Sequence, residues 1–475
     1  MKSAHRFALT TSALLVAACG MSSAPTSNTV AVEDAVIAPQ ATPKAVCGPG
    51  SRPETAAMQG RVTQDDHASG RVMQGFTCNT ELVGSYTVPT DLGYVGGFKV
   101  ERYVDRAGHE CAYYDTTTIF PVNVFSGEAG VNVLDMSDPA HPALSARLLT
   151  PAMLSPHESL VLSDKRGLLA AVLGNLIFGP GVVDVYDLNQ DCRRPVLKAS
   201  APVGTLGHES GMSPDGNTFY SASSAMPTLT PVDISNPSLP LPLGITSIKS
   251  HGLSVSADGN RVYVADLIDR AMLILDSSEF QSRQPNPKFH EISRLSWDIG
   301  SIPQNAIPIT IKGHPYVVEI DEFATKGHTY IPAANGSHVG AGRIIDIGDE
   351  TQPRVISDLR LEVHQPENRA EVSGDPGAGN IVGGYAGHYC NVPTRVDPTI
   401  VACSMIMSGL RVFDIRDPFH LKEVAYFHAP TESASMSNSA FSSPSFVPER
   451  KEIWYSDSNS GFYAVRVTNG AWPDP

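Results

Sequence analysis

Short apolar runs that end in aspartate recur along the chain, and most are followed by a turn and a proline. They are GVNVLDMSDPAHP from Gly130, GVVDVYDLNQDCRRP from Gly181, LTPVDISNPSLP from Leu229, AMLILDSSEF from Ala271, GRIIDIGDETQP from Gly342 and GLRVFDIRDPFH from Gly409, with a degenerate seventh, GFYAVRVTNG, from Gly461. Runs this short, bounded by turn residues, read as strands rather than helices. Their spacing of roughly 40 to 70 residues suits four-stranded units better than any helical repeat. A second, alternating run follows four of them: PALSARLLTP from Pro142, PVLKASAPV from Pro195, PRVISDLRLEV from Pro353 and LKEVAYFHAP from Leu421. Alternation marks a strand with one solvated face, as at the outer edge of a unit. A matching segment, TELVGSYTVP from Thr80, precedes the first unit, whereas the seventh reaches the chain end without one. The expectation is an all-β fold, a seven-bladed β-propeller over residues 76–475, closed by an N-terminal strand that completes the last blade and removes the open edges.

The start of each unit carries a second pattern. HESLVLSDKRGLLAAV begins at His157, HESGMSPDGNTFYSAS at His208 and HGLSVSADGNRVYVAD at His251, each histidine standing seven residues before an aspartate, Asp164, Asp215 or Asp258. The glycine that follows marks a hairpin turn, and the next strand starts near Leu168, Phe219 or Val262. His314 fits through Asp321, and His388 through Asp397 with a longer turn, while Phe98 and Ser442 take this place in the other two units. The first strand of a propeller blade lines the central channel, so the histidines of five consecutive blades are expected to converge at its mouth.

The apolar-Asp strands VNVLD, VVDVYD, MLILD, RIIDI and LRVFDI resemble the LVIVD-repeat family, and the resemblance covers nearly the whole expected domain. It implies a propeller and no particular activity. Asp135, Asp187, Asp233, Asp276, Asp346 and Asp414 are read as structural groups that hydrogen-bond within the blades.

Convergent neutral imidazoles select Zn, Cu or Fe. His157, His208, His251, His314 and His388 are therefore candidate ligands of a transition metal, with Glu158, Glu209, Asp321 and Glu322 beside them as groups that orient the rings. Two other readings stand next to this one: a ring of histidines that bond only to neighbouring blades, and a small-molecule site without metal. Carotenoid-cleaving oxygenases and the methanethiol-oxidase family hold iron or copper with propeller histidines, which is fold analogy and supplies no substrate. The segment Gly207–Gly211 has its serine in the wrong place for a nucleophile elbow, and HExxH, Walker A and CxxC patterns are absent. The non-catalytic alternative is a cell-surface scaffold that binds a protein or glycan through its long loops, 277–312 and 362–387.

Lys2, His5 and Arg6 precede the apolar stretch Phe7–Ala18, and Val16-Ala17-Ala18-Cys19 follows the pattern of a bacterial lipoprotein signal. Residues 1–18 are expected to be removed and Cys19 to carry lipid, leaving an exported protein anchored to the envelope, with Gly20 favouring the outer membrane. The Ser/Ala/Pro-rich residues 19–46 read as a flexible tether and 47–75 as an N-terminal extension. With 34 Lys+Arg against 49 Asp+Glu and a net charge of −15, the chain has no electrostatic footprint for nucleic acid. Six cysteines remain after Cys19, which suits three disulfides in an oxidising compartment. Cys390 and Cys403 flank a hairpin turn and are expected to pair, Cys78 with Cys111 is the next pairing, and Cys47 with Cys192 is what remains.

Overall fold

A strand that is apolar on both faces needs a sheet on each side, and the repeated runs are packed in that way. In the computed structural model they form the third strands of seven separate antiparallel sheets, which are the seven blades of a β-propeller. The model describes residues 40–88, 95–116, 129–174, 181–223, 228–297, 302–322, 340–379 and 383–474. The signal segment, Cys19 and residues 19–39 of the expected tether lie outside the described residues.

Blade 1 is built from Val100–Val104, Glu110–Asp115, Val131–Asp135 and Ala143–Leu148 in that spatial order, and its pattern is general. The inner strands are almost wholly buried, as in Val131–Asp135 and in Leu168–Val172 of blade 2, while Ala143–Leu148 at the rim is largely exposed. The core lies between blades rather than at one centre. Ile309, Val318, Ile344, Val401 and Phe413 fill one such seam, and Val412, Phe427, Ile453 and Val465 another. Each such side chain is worth about 1.5–3 kcal/mol of burial. Blade 7 takes its outer strand from Thr80–Tyr86, which pairs antiparallel with Gly461–Val467 from Thr80 opposite Val467 to Tyr86 opposite Phe462.

The repeat aspartates close the strands locally. One carboxylate oxygen of Asp135, Asp187, Asp233, Asp276, Asp346 and Asp414 accepts the backbone N–H two residues on, an Asx turn at the end of each third strand.

Two features add to the sequence expectation. Phe76–Cys78 adds a fifth strand to the rim of blade 6, pairing with Lys422–His428. The end of the expected tether is docked: Thr42 N–H donates to Arg360 O at 2.8 Å, and Glu423 N–H donates to Pro43 O at 3.0 Å. The extension behind it is fastened by a buried network in which Arg411 donates to Glu54, Glu423 and His428, and Gln59 donates to Glu423.

Cys390 and Cys403 stand opposite one another on the ladder of blade 6 and are bonded. The other two bonds are Cys47–Cys78 and Cys111–Cys192, not Cys78–Cys111 and Cys47–Cys192. Spatial neighbours in a propeller come from different blades. Cys111, on the second strand of blade 1, meets the turn that follows the third strand of blade 2. Cys78, in the added rim strand, meets the extension.

Candidate functional site

The histidine position is set by a backbone contact repeated from blade to blade. In blades 3, 4 and 6 the N–H of His208, His251 and His388 donates to the second strand, at Ala222 O, Ala265 O and Ser404 O, over 2.8–3.0 Å. The three rings are thereby presented at equivalent heights in the channel. Blade 2 reaches the same place by a different route. His157 and Glu158 are consecutive residues with positive φ, 39° and 72°, in a turn closed by Ser159 N–H on Pro156 O. Such a conformation costs a non-glycine residue about 1–2 kcal/mol and is commonly kept at functional sites.

Glu158 is at the centre of the cluster. Its Oε2 lies 2.7 Å from Nδ1 of His208 and accepts a hydrogen bond from Gln304 at 2.5 Å, and its Oε1 lies 3.3 Å from Nε2 of His388. Glu322 bridges the other side, 3.3 Å from Nε2 of His251 and 3.2 Å from Nε2 of His388. Ring centroids are 4.6 Å apart for His157 and His208 and 4.3 Å for His208 and His251. His157, Glu158 and His208 each place a donor atom within 4.8 Å of the others. The Nδ1–H groups of His251 and His388 are held by backbone carbonyls, Pro303 O and Phe441 O, both at 2.6 Å, which turns each Nε2 toward the carboxylates.

Apart from the half-buried His157, these groups are buried, so their ionisation is governed by one another. Burial would raise the Glu158 carboxyl, but the charges and hydrogen bonds of His208 and His388 hold it well below its ordinary range. Burial also opposes a charged His388, yet Glu158 and Glu322 outweigh it and push the ring up to about 10. His251 goes the other way: burial, reinforced by His208, keeps it well below its ordinary value and therefore neutral. Among the described residues no Lys or Arg pairs with Glu158 or Glu322. The nearby Lys99 is spent on Glu209, at 2.7 Å, and lies over the Tyr389 ring at 4.3 Å.

The structure brings together His157, His208, His251, His388, Glu158 and Glu322, with Glu209 one layer away. It does not bring in His314 or Asp321. Blade 5 starts at Ile302–Ile311, and Lys312 and Gly313, both with positive φ, form the turn into its second strand, His314–Glu322. His314 therefore stands at the far end of that strand, about 26 Å of chain from Glu322. It is half-exposed and bonded to Asp346 at 2.7 Å. Asp321 points away from Glu322 and pairs with Arg343 at 2.7 Å. Matching His314 to Asp321 mistook the second strand for the first. The Lys-Gly turn between two apolar runs was the signal that could have corrected it.

The true blade 5 contribution is polar and uncharged. A β-bulge between Pro303 and Asn305 turns both Gln304 and Asn305 toward the cluster. Gln304 donates to Glu158 and to the Tyr389 hydroxyl, and Asn305 donates to Glu209. Phe98, the blade 1 counterpart, packs its ring on His157 at 4.9 Å and on His388 at 5.5 Å. A second acidic grouping, Asp105, His109 and Asp191, is already consumed: Asp105 accepts the N–H groups of Ala107, His109 and Cys192.

The LVIVD repeat family matches the chain at residues 126–150 and 227–245. No curated protein sequence matches it. Among solved structures it is similar to a conjectured 6-phosphogluconolactonase from Bacteroides fragilis, with 12% identity over 71% of this chain and 90% of that one at a TM-score of 0.48. It is also similar to hydrazine synthase from Kuenenia stuttgartiensis, with 13% identity over 80% of this chain and 97% of that one at a TM-score of 0.49. At these values the activities of those proteins are not carried over to this one. The chain is thus a seven-bladed β-propeller that carries LVIVD repeats at two places.

Proposed function

We propose that this propeller is an exported, lipid-anchored metalloprotein that holds a divalent transition metal at the channel mouth through His157, His208, His251, His388, Glu158 and Glu322. One observation carries the reading. Two buried carboxylates are shared among imidazoles from three blades with no Lys or Arg beside them, an arrangement that calls for a cation. The N···O separations of 2.7–3.3 Å are those of adjacent donors on one ion with bonds of about 2.0–2.2 Å. Imidazole with carboxylate suits Zn, Fe or Cu(II). Carbonyls on the Nδ1–H groups of His251 and His388 are the usual supports of metal-bound histidine. Three disulfides and the Val16–Cys19 pattern support export and lipidation.

Elemental mass spectrometry of the untagged protein tests the metal, with a Glu158→Gln/Glu322→Gln variant beside it. One equivalent of a transition metal, lost in the variant, is the expected result. No metal in either protein after incubation with Zn, Cu or Fe ions overturns the reading. Lipidation is tested separately by palmitate labelling, which Cys19→Ser should abolish.

A further inference from the structure

The six groups at the channel mouth fall into two sets of the same composition. His157, Glu158 and His208, from blades 2 and 3, place one donor atom each within 4.8 Å of the others. Glu322 stands between His251 and His388, 3.3 Å from Nε2 of one and 3.2 Å from Nε2 of the other. This second set is wider, with one imidazole on each oxygen of a shared carboxylate. Each set is two imidazoles and one carboxylate, a donor group that by itself holds zinc or iron(II) and leaves coordination positions open. Donors of one ion, each about 2.1 Å from it, lie no more than about 4.2 Å apart. A single ion gathers all six groups only by drawing the two sets together, and two ions need less movement.

Glu158 joins the sets. Its Oε2 faces His208 at 2.7 Å and its Oε1 faces His388 at 3.3 Å, so each oxygen addresses a different set. A carboxylate placed in this way bridges two ions, which in two-metal sites stand about 3.5–4 Å apart. The left-handed turn of blade 2 serves the same end. Consecutive positive φ values bring His157 and Glu158 together to the channel, where an extended strand would send them to opposite faces. The surrounding charge agrees. Asp115, which accepts the N–H of Phe98, and Glu209 are both buried and both feel the charge of Glu158. Each keeps one carboxylate oxygen without a hydrogen-bond partner among the described residues. Glu158, Glu322, Glu209 and Asp115 against the ammonium of Lys99 give a formal charge of −3. One divalent ion leaves −1, which still attracts a second.

We infer, resting on the metal reading above, that the cluster is a two-metal centre, with a second divalent transition ion at His157, Glu158 and His208 and Glu158 bridging it to the first. The single ion of the purified protein is shared among the six groups. A second, taken up from excess, divides them, leaving His251, His388 and Glu322 to the first.

The test is titration of the metal-free, untagged protein with Cu(II), read by equilibrium dialysis with elemental analysis and by electron paramagnetic resonance. Two equivalents are expected at saturation. The first gives the spectrum of an isolated ion, and the second lowers the signal per copper, because spins joined through one carboxylate couple. His157→Asn is expected to keep the first equivalent and to bind the second about a hundredfold more weakly or worse, since losing even an outer hydrogen-bond partner of a ligand costs about 10–100-fold. Asparagine tolerates the left-handed conformation at this position, so the metal-free variant should keep its thermal midpoint, which separates a lost ligand from a lost fold. Saturation at one equivalent overturns the inference and leaves the metal reading standing, whereas no bound metal overturns both. Two ions without coupling overturn the inference as well, as does a second equivalent bound undiminished by His157→Asn.

Discussion

Under the proposed function, loading the metal expels a proton from His388, and the affinity is expected to depend steeply on pH. The Nδ1–H of that ring is committed to Phe441 O, so only Nε2 is available as a ligand. In the metal-free protein Nε2 carries the proton shared with Glu158 and Glu322, and the ring titrates at about 10. Below that value the proton competes with the ion. At neutral pH the competition weakens apparent affinity by about a thousandfold, and each unit of rising pH should recover about tenfold. Titration calorimetry with Zn in two buffers of different ionisation enthalpy counts the protons released, and at least one per ion is expected near neutrality. His388→Gln should reduce that count by one and flatten the pH slope accordingly, while His314→Asn, remote from the cluster, should change neither. A wild-type release near zero, or a count unaltered in His388→Gln, refutes the argument. The same shift has a consequence without metal. A ring whose value rises on folding stabilises the fold fully below its unfolded value near 6.5, and that contribution is lost as pH rises toward about 10.

Three further outcomes follow from the packing. A Cβ at Gly252 would lie 2.0 Å from Glu209 Oε2 and 2.1 Å from Gln304 O, so Gly252→Ala should displace both and lower metal content to well under one equivalent by elemental analysis. The Cys111–Cys192 bond closes a loop of 81 residues, worth about 4.5 kcal/mol of chain entropy against about 3 for the 13-residue Cys390–Cys403 loop. Calorimetry of Cys111→Ala/Cys192→Ala should accordingly show a thermal midpoint about 5 °C lower, a larger drop than for the other pair. Glu54 is held at about 2 against burial, chiefly by Arg411 and then by His428. Its stabilisation, about 3 kcal/mol, is present above its unfolded value of 4.5 and lost as pH falls toward 2. Urea unfolding should show Glu54→Gln costing most at pH 6 and progressively less in acid.

The blade architecture was legible because it rests on local patterns. Apolar runs buried on both faces, a terminal aspartate that builds its own Asx turn, and an alternating rim strand all leave period and composition in the chain. The histidine positions of blades 3, 4 and 6 were legible for the same reason, since a repeated backbone contact carries a repeated side chain, and that of blade 2 because its sequence keeps the same spacing although its backbone turns differently. What could not be read depends on contacts between blades or on broken local rules. Cys111 finds Cys192 across a blade seam, and no spacing along the chain encodes that seam. Gln304 enters the cluster through a bulge, which shifts side-chain direction without any distinctive residue. Glu322 comes from a second strand rather than a first, so alignment of first strands could place it only by chance.

These departures carry more of the site than the repeats do. Seven equivalent blades would place seven equivalent groups around the channel axis, and such a ring favours no direction. The observed cluster is one-sided because each blade deviates differently. Blade 1 substitutes Phe98 and sends Lys99 across to Glu209, blade 2 adopts a left-handed turn to bring in Glu158, and blade 5 bulges to present Gln304 in place of a histidine. Each deviation has a cost, in backbone strain at Glu158, in an unpaired ladder residue at Gln304 and in a buried amine at Lys99. A ring that served only to join the blades would need none of them. Their joint presence around two shared carboxylates is therefore the physical argument for a bound ion, and it stands apart from the number of histidines.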